Sequence, residues 1–204
     1  MSASGDTTTV SLRRSRASFL RSATLGGGVA AAGFVLAGRP DHAESAGSAA
    51  RDADILTFVL QLEHLQSAFY GEAFDKGSIV GEARELARVV GGHERAHVKF
   101  IEDKLGSAAP RPPRFDFGSA TSDVAAFFEA GRRIEDIGVR AYNAQAPNLT
   151  VAALGAAAKI VSVEARHAAW IRDLAGVDPA PDAAEPVLTA EQVQAALRDT
   201  GFIR

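Results

Sequence analysis

The sequence predicts an all-α protein: a four-helix bundle with one long crossover between its second and third helices and a short helix near its C-terminal end. Alanine is abundant, whereas the β-branched and aromatic runs that announce strands are sparse, and this favours close-packed helices. Four segments repeat apolar residues at steps of three and four. A single long stretch between the second and third of them is broken by proline and glycine. With 204 residues and 47% hydrophobic content, the chain can bury one sizeable core.

The first segment reads as an address. Arg13, Arg14, Arg16 and Arg21 precede a weakly apolar run from Ala23 to Ala37, the n-region and h-region of an export signal. The run is shorter than the roughly 20 residues that span a bilayer, so no permanent membrane span is expected in the mature chain. Ser15-Arg16-Ala17-Ser18-Phe19-Leu20-Arg21 resembles the twin-arginine export motif, with Ala17 where the second arginine of the pair is expected. That resemblance implies folded export to a periplasmic or other extracytoplasmic space. Cleavage after Ala37 and cleavage within residues 43 to 50 both remain open. The expected organisation is an export signal and linker over 1–49, the bundle over 50–177, and a C-terminal extension over 178–204.

In the first helix, from Asp52 to about Phe74, Ile55, Phe58, Leu62, Leu65 and Phe69 make the apolar stripe. A short turn through Ser78 implies an antiparallel neighbour, carried by Leu86, Val90, Phe100 and Ile101 to Leu105 and stopped by Gly106. Residues 107 to 121 contain Pro110, Pro112, Pro113 and Gly118. Extended at about 3.3 Å per residue they span roughly 50 Å, enough to return along a helix of about 36 Å. The third helix runs from about Ser122 through Val124, Phe128, Ile134 and Tyr142 to Ala146-Pro147. Thr150 is the expected N-cap of the fourth, whose stripe is Leu154, Ile160, Val163 and Ile171 before Gly176. Thr189-Ala190-Glu191-Gln192 fits a capping box ahead of Val193 and Leu197.

Composition excludes several classes of function. Without cysteine there can be no disulfide, thiolate zinc site, iron–sulfur cluster or thiol nucleophile. Met1 is the single methionine, so a chain trimmed at its N-terminus would contain no sulfur for oxidants to attack. The net charge is −3, and five arginines against three acids in residues 1–49 leave about −5 on the remainder. A mildly acidic body without basic clusters argues against a nucleic-acid partner.

The chemistry lies in two Glu-x-x-His motifs, Glu94/His97 in the second helix and Glu164/His167 in the fourth. A spacing of three puts both side chains on one helix face. Leu86, Val90, Glu94, His97 and Ile101 form one continuous stripe, and Ala157, Ile160, Glu164, His167 and Ile171 repeat it, so each ionisable pair interrupts an apolar seam. The first and third helices add Glu63 and Glu135, which precede Glu94 and Glu164 by 31 and 29 residues. Tyr70 and Tyr142 each follow these glutamates by seven residues, two turns along the same face. A buried, unpaired carboxylate costs several kcal/mol or takes up a proton. Four converging carboxylates carry about −4, which two divalent cations offset while two neutral imidazoles complete their shells. In a metal-free bundle, internal salt bridges or water would have to do the same work. His64 and His93 adjoin ligands but point about 100° away from them, which suits a place on the surface or behind the ligands and not direct coordination. Arg95, Arg132, Arg133 and Arg166 read as solvated faces or as positive charge balancing the acidic cluster from outside.

At these residues the chain resembles the bacterial ferritin-like domain proteins, a group that includes plant desiccation-related proteins. The stretches that carry the resemblance are Leu62 to Tyr70, Glu94 with His97, Glu135 to Tyr142, and Val163 to Ala168, within residues 52 to 176. It implies a ferritin-like bundle holding two metal ions, Fe or Mn, with Glu94 and Glu164 bridging them. Glu63 and Glu135 would cap one ion each, and His97 and His167 would complete the set. Tyr70, Tyr142 and Gln66 would surround the ligands, Gln66 standing where relatives often carry a second glutamate. Two functions follow: a di-iron or di-manganese oxidoreductase of ferroxidase or peroxidase type acting on O₂ or H₂O₂, or a non-catalytic envelope or stress protein in which metal only staples the bundle.

Overall fold

The computed structural model describes residues 47–204. Nearly all of the expected export segment, with His42 and the twin-arginine-like stretch, lies outside the described residues. Five α-helices account for most of what is described: α1 (Ala49–Lys76), α2 (Gly81–Leu105), α3 (Val124–Gln145), α4 (Val151–Leu174) and α5 (Ala190–Thr200). Among the described residues the only strand-like feature is an isolated bridge between Phe115 and Ile203. No helix among them is long and apolar enough to cross a membrane.

Helix α1 starts three residues before Asp52, because Ser48 caps it by accepting from the Arg51 amide. It also continues past Phe74 to Lys76. There Arg84 of α2 donates to the Phe74 carbonyl at 2.9 Å and lies over its ring, holding the end of one helix against the start of the next. The turn between them is anchored by the fully buried Ile79. Asp123, Thr150 and Thr189 cap α3, α4 and α5 through their side chains, and the Thr189–Gln192 box is complete.

In the bundle, α1 packs against α2 and α3 against α4, while α1 also meets α3 and α2 meets α4. The long crossover between α2 and α3 is tied down at its far end: Lys76 donates to Thr121, which donates to Glu72. Phe117 from the crossover and Phe202 from the C-terminal tail close on Phe69 and Phe127, with ring centroids 5.2 to 6.4 Å apart. Helix α5 buries Val193 and Leu197 against this side of the bundle, and Gln194 reaches Gln61 of α1.

Four apolar positions depart from expectation, one of them Phe100 near the end of α2, which is 38% exposed beside the buried Ile101. On α3 the buried ring is Phe127 and not Phe128, which is only partly buried, and Val124 is exposed. Leu154 on α4 is 39% exposed, because the first two turns of α4 are thinly covered by the neighbouring helices. The helical period holds in all three helices; its phase at the ends depends on where neighbours stop, which no single segment encodes.

The core falls into two clusters. The larger contains Leu62, Leu65, Phe69, Val90, Phe127, Ile134 and Ile171; the smaller contains Val59, Leu60, Ile101, Tyr142 and Ile160. On α1, α2 and α4 the acidic and histidine residues sit between members of the two clusters. A polar layer therefore crosses the bundle, with a hydrocarbon cluster on each side.

Candidate metal centre

All four helices of the bundle contribute to that layer, and it contains all six residues expected to meet there. Glu63, Glu94, Glu135 and Glu164 are completely buried, and His97 and His167 are buried beside them. Their inward atoms form two sets, each within 4.8 Å of one another: Glu63, Glu94, His97 and Glu164 in the first, and Glu94, Glu135, Glu164 and His167 in the second. Glu94 and Glu164 belong to both, so each set has one private carboxylate, one private imidazole and two shared carboxylates. His97 Nδ1 lies 3.1 Å from Glu94 Oε2, 3.0 Å from Glu164 Oε1 and 3.3 Å from Glu63 Oε2. His167 Nδ1 lies 2.8 Å from Glu94 Oε1 and 3.7 Å from Glu135 Oε2.

Local sequence explains why α3 comes so near. Glu135 is flanked on its face by glycines. A Cβ at Gly131 would stand 2.3 Å from Ile171 Cδ1, and one at Gly138 would stand 3.3 Å from Gln66 Nε2 and 3.4 Å from Glu164 Oε2. Bare backbone on both sides lets Glu135 approach the other carboxylates.

Without a cation this arrangement is electrostatically unfinished. One N–H on His97 cannot satisfy three carboxylates at once. Glu63 Oε2, Glu94 Oε1, both oxygens of Glu135, Glu164 Oε1 and His167 Nδ1 are buried with no hydrogen-bond partner, an unusual concentration of unmet polar groups. Burial pushes Glu63 up to about 7, opposed by its bond to His97 and reinforced by the Glu94 charge. Burial likewise raises Glu135, with the Glu164 and Glu94 charges adding to it, and raises Glu164, with Glu63 adding to it. His97 is pushed up to about 12: burial alone would lower it, but the carboxylates of Glu164, Glu63 and Glu94 outweigh that. The unmet atoms are hard oxygens and one imidazole nitrogen, and with His97 Nδ1 they make up two adjacent groups, a donor set that fits a pair of divalent cations.

The surrounding residues orient this set. Tyr142 donates to Glu63 Oε1, and Gln66 Nε2 donates to Glu164 Oε2 at 2.9 Å. Tyr70 is fully buried, and its phenol is raised first by that burial and then by the Glu135 charge; its hydroxyl has no hydrogen-bond partner. Arg95, Arg132, Arg133 and Arg166 are exposed. His64 is buried but turned towards Glu102, 3.9 Å away. His93 is closer to the site than its sequence position alone specifies: its Nδ1 lies 2.9 Å from His167 Nε2, the nitrogen facing away from the carboxylates. The one available signal was its place immediately before Glu94, which cannot tell a surface residue from a partner on another helix. The buried Arg172, paired with Asp136 at 2.6 Å, was also not anticipated. Asp136 adjoins Glu135 in sequence, so this pair ties α4 to α3 beside the polar layer.

The family model for the ferritin-like domain matches residues 51–177, well over half of the chain. No curated protein matches the sequence.

Proposed function

We propose, from the premise that the chain belongs to the ferritin-like domain family, that it is an exported protein holding a dinuclear iron or manganese centre used in redox chemistry with O₂ or H₂O₂. The observation that carries this reading is the pair of overlapping four-residue sets that share Glu94 and Glu164. In it, Glu63 and His97 would hold one ion, Glu135 and His167 the other, and Glu94 and Glu164 would serve both. Bound iron or manganese would supply one-electron chemistry towards oxygen species.

The chain's own residues set the conditions for that chemistry. Tyr142 and Gln66 each fix one oxygen of a ligand carboxylate by donating a hydrogen bond to it, which leaves the other oxygen free to face inward. His93 does the same for His167: with its Nδ1 lone pair turned inward, His167 carries its proton on Nε2 and donates to His93 Nδ1. The aromatic plug of Phe69, Phe117, Phe127 and Phe202 keeps water from one end of the layer. Residues 1–49 act as the export segment, which delivers the bundle outside the cytoplasm.

The deciding experiment is metal analysis of protein purified from its own host, joined to O₂ and H₂O₂ consumption by the wild type and by Glu164→Ala. Two Fe or Mn per chain with turnover that Glu164→Ala abolishes supports the redox reading. Two ions without turnover makes them a structural staple, and no stoichiometric metal sinks both. A second expectation concerns His93. His93→Ala should weaken metal binding by roughly 10–100-fold, as loss of an orienting partner does, while His93→Gln, whose amide oxygen can still accept the Nε2 proton, should recover most of it. Competition with a chromophoric chelator reads both; equal affinity in wild type and His93→Ala would remove His93 from the assembly.

A further inference from the structure

The smaller core cluster is not sealed as the larger one is. A cavity of about 350 Å³ opens between the N-terminal parts of α1 and α4 and the C-terminal end of α2, a volume in the range of small-molecule sites. Its walls are apolar, with Leu56, Phe100 and Ile160 as the larger side chains. It exists because the facing stretch of α4, Val151-Ala152-Ala153-Leu154-Gly155-Ala156-Ala157-Ala158, supplies almost no side-chain bulk. Its inner wall includes Tyr142, the residue whose hydroxyl is bonded to Glu63. One side chain therefore separates the cavity from the carboxylate layer.

Two charged residues line it, and they differ in what they have left to offer. Asp52 is satisfied, accepting from the Thr150 amide at 2.9 Å and the Thr150 hydroxyl at 2.6 Å. Lys104, in the last turn of α2, joins no ion pair among the described residues; its ammonium stands 5.6 Å from the centroid of the Phe100 ring. An apolar slot with one free cation and no array of hydrogen-bond donors does not suit a nucleotide or a sugar. It complements an apolar body carrying one anionic head.

We propose that this cavity binds a medium-chain alkyl carboxylate, with its chain along the alanine wall of α4 towards Tyr142 and its carboxylate at Lys104. A role for that ligand as substrate or effector of the metal centre rests on the function proposed above; the binding itself does not.

The test is calorimetric titration of the full chain, stripped of metal, with decanoate and with decanol. Saturable one-to-one binding of decanoate is expected. Lys104→Gln should weaken decanoate by about tenfold, on the order of 1.4 kcal/mol, and leave decanol unchanged. Ala156→Phe, which fills the slot, should abolish binding of both while far-UV circular dichroism and metal affinity stay as in the wild type; if it does not fold, Ala153→Leu serves the same purpose. Absence of saturable binding by the wild type, or equal decanoate affinity in wild type and plugged variant, overturns the site. Equal weakening of decanoate and decanol in Lys104→Gln overturns the assignment of the head group. Because these titrations use metal-free protein, they read the cavity even if the metal centre is disproved. A change in the visible absorption of the metal-loaded protein on adding decanoate, absent in the plugged variant, would link the two sites.

Discussion

Glu94→Gln is expected to abolish the proposed binding of two metal ions while leaving the metal-free fold at least as stable as the wild type. Glu94 faces both histidines, with Oε1 towards His167 and Oε2 towards His97, and belongs to both ligand sets. Replacing one of its oxygens by an amide nitrogen would remove a donor atom from one set and a unit of negative charge that the two sets share. Affinity should fall by more than the roughly 100-fold that loss of an orienting neighbour can cost. The stabilisation that saturating metal confers, about 4 kcal/mol at a thousand times Kd, should vanish with it. In the metal-free state the sign reverses. Four completely buried carboxylates repel one another with too few protons to share, and an isosteric neutral side chain relieves that repulsion, a change on the order of 1 kcal/mol or more. Thermal melts with and without chelator, alongside metal content per chain, test both halves. A variant that melts lower without metal yet still carries two ions would sink the account.

The second large effect is pH dependence. Glu63 is held at about 7 in the folded chain against an ordinary value of 4.5. Between those values the folded state keeps a proton that the unfolded state has released, so the stability this group contributes is full below about 4.5 and is lost as pH rises through about 7. For Glu63 alone that loss is on the order of 3 kcal/mol. Glu135 and Glu164 are shifted in the same direction. His97, raised from 6.5 to about 12, also binds its proton more tightly when folded, so its contribution declines over the range above neutrality. All four act with one sign. The metal-free protein should therefore melt progressively lower from about pH 5 to about pH 8, whereas metal, which displaces those protons, should bind more tightly as pH rises and release protons on binding. Melting curves of chelated and loaded protein across this interval, with proton release measured in weakly buffered solution, give the answer. A metal-free melting temperature that climbs with pH would contradict it.

Much of the site was legible because carboxylates and imidazoles are conspicuous in an apolar stripe. Glu94 with His97, and Glu164 with His167, each occupy seam positions flanked by Val90 and Ile101 or Ile160 and Ile171, and helical geometry then sends them to the same side as those residues. The paired placement of Glu63 and Glu135 supplied the other two helices. What was not legible involved residues whose own helix position looks unremarkable. His93 meets His167 only because α2 and α4 are neighbours. Arg172 is buried only because Asp136 and Glu185 lie across from it. The exposure of Leu154 follows from how little of its neighbours reaches that turn of α4, not from anything in its own segment.

By itself, the sequence determined the all-α class, the number of helices, the crossover, and the six side chains that meet inside, because periodicity and helix-breaking residues act over a few positions and are written locally. Tertiary structure decided that Glu94 and Glu164 are common to both candidate ligand sets, that each histidine presents Nδ1, and that one end of the polar layer is plugged by aromatic rings while only Tyr142 separates the other from an alanine-walled cavity. Those features depend on the axial offset and separation of helices distant along the chain, set by how bulky and bare faces such as those of Phe69 and Gly131 fit together, and no single segment carries that information.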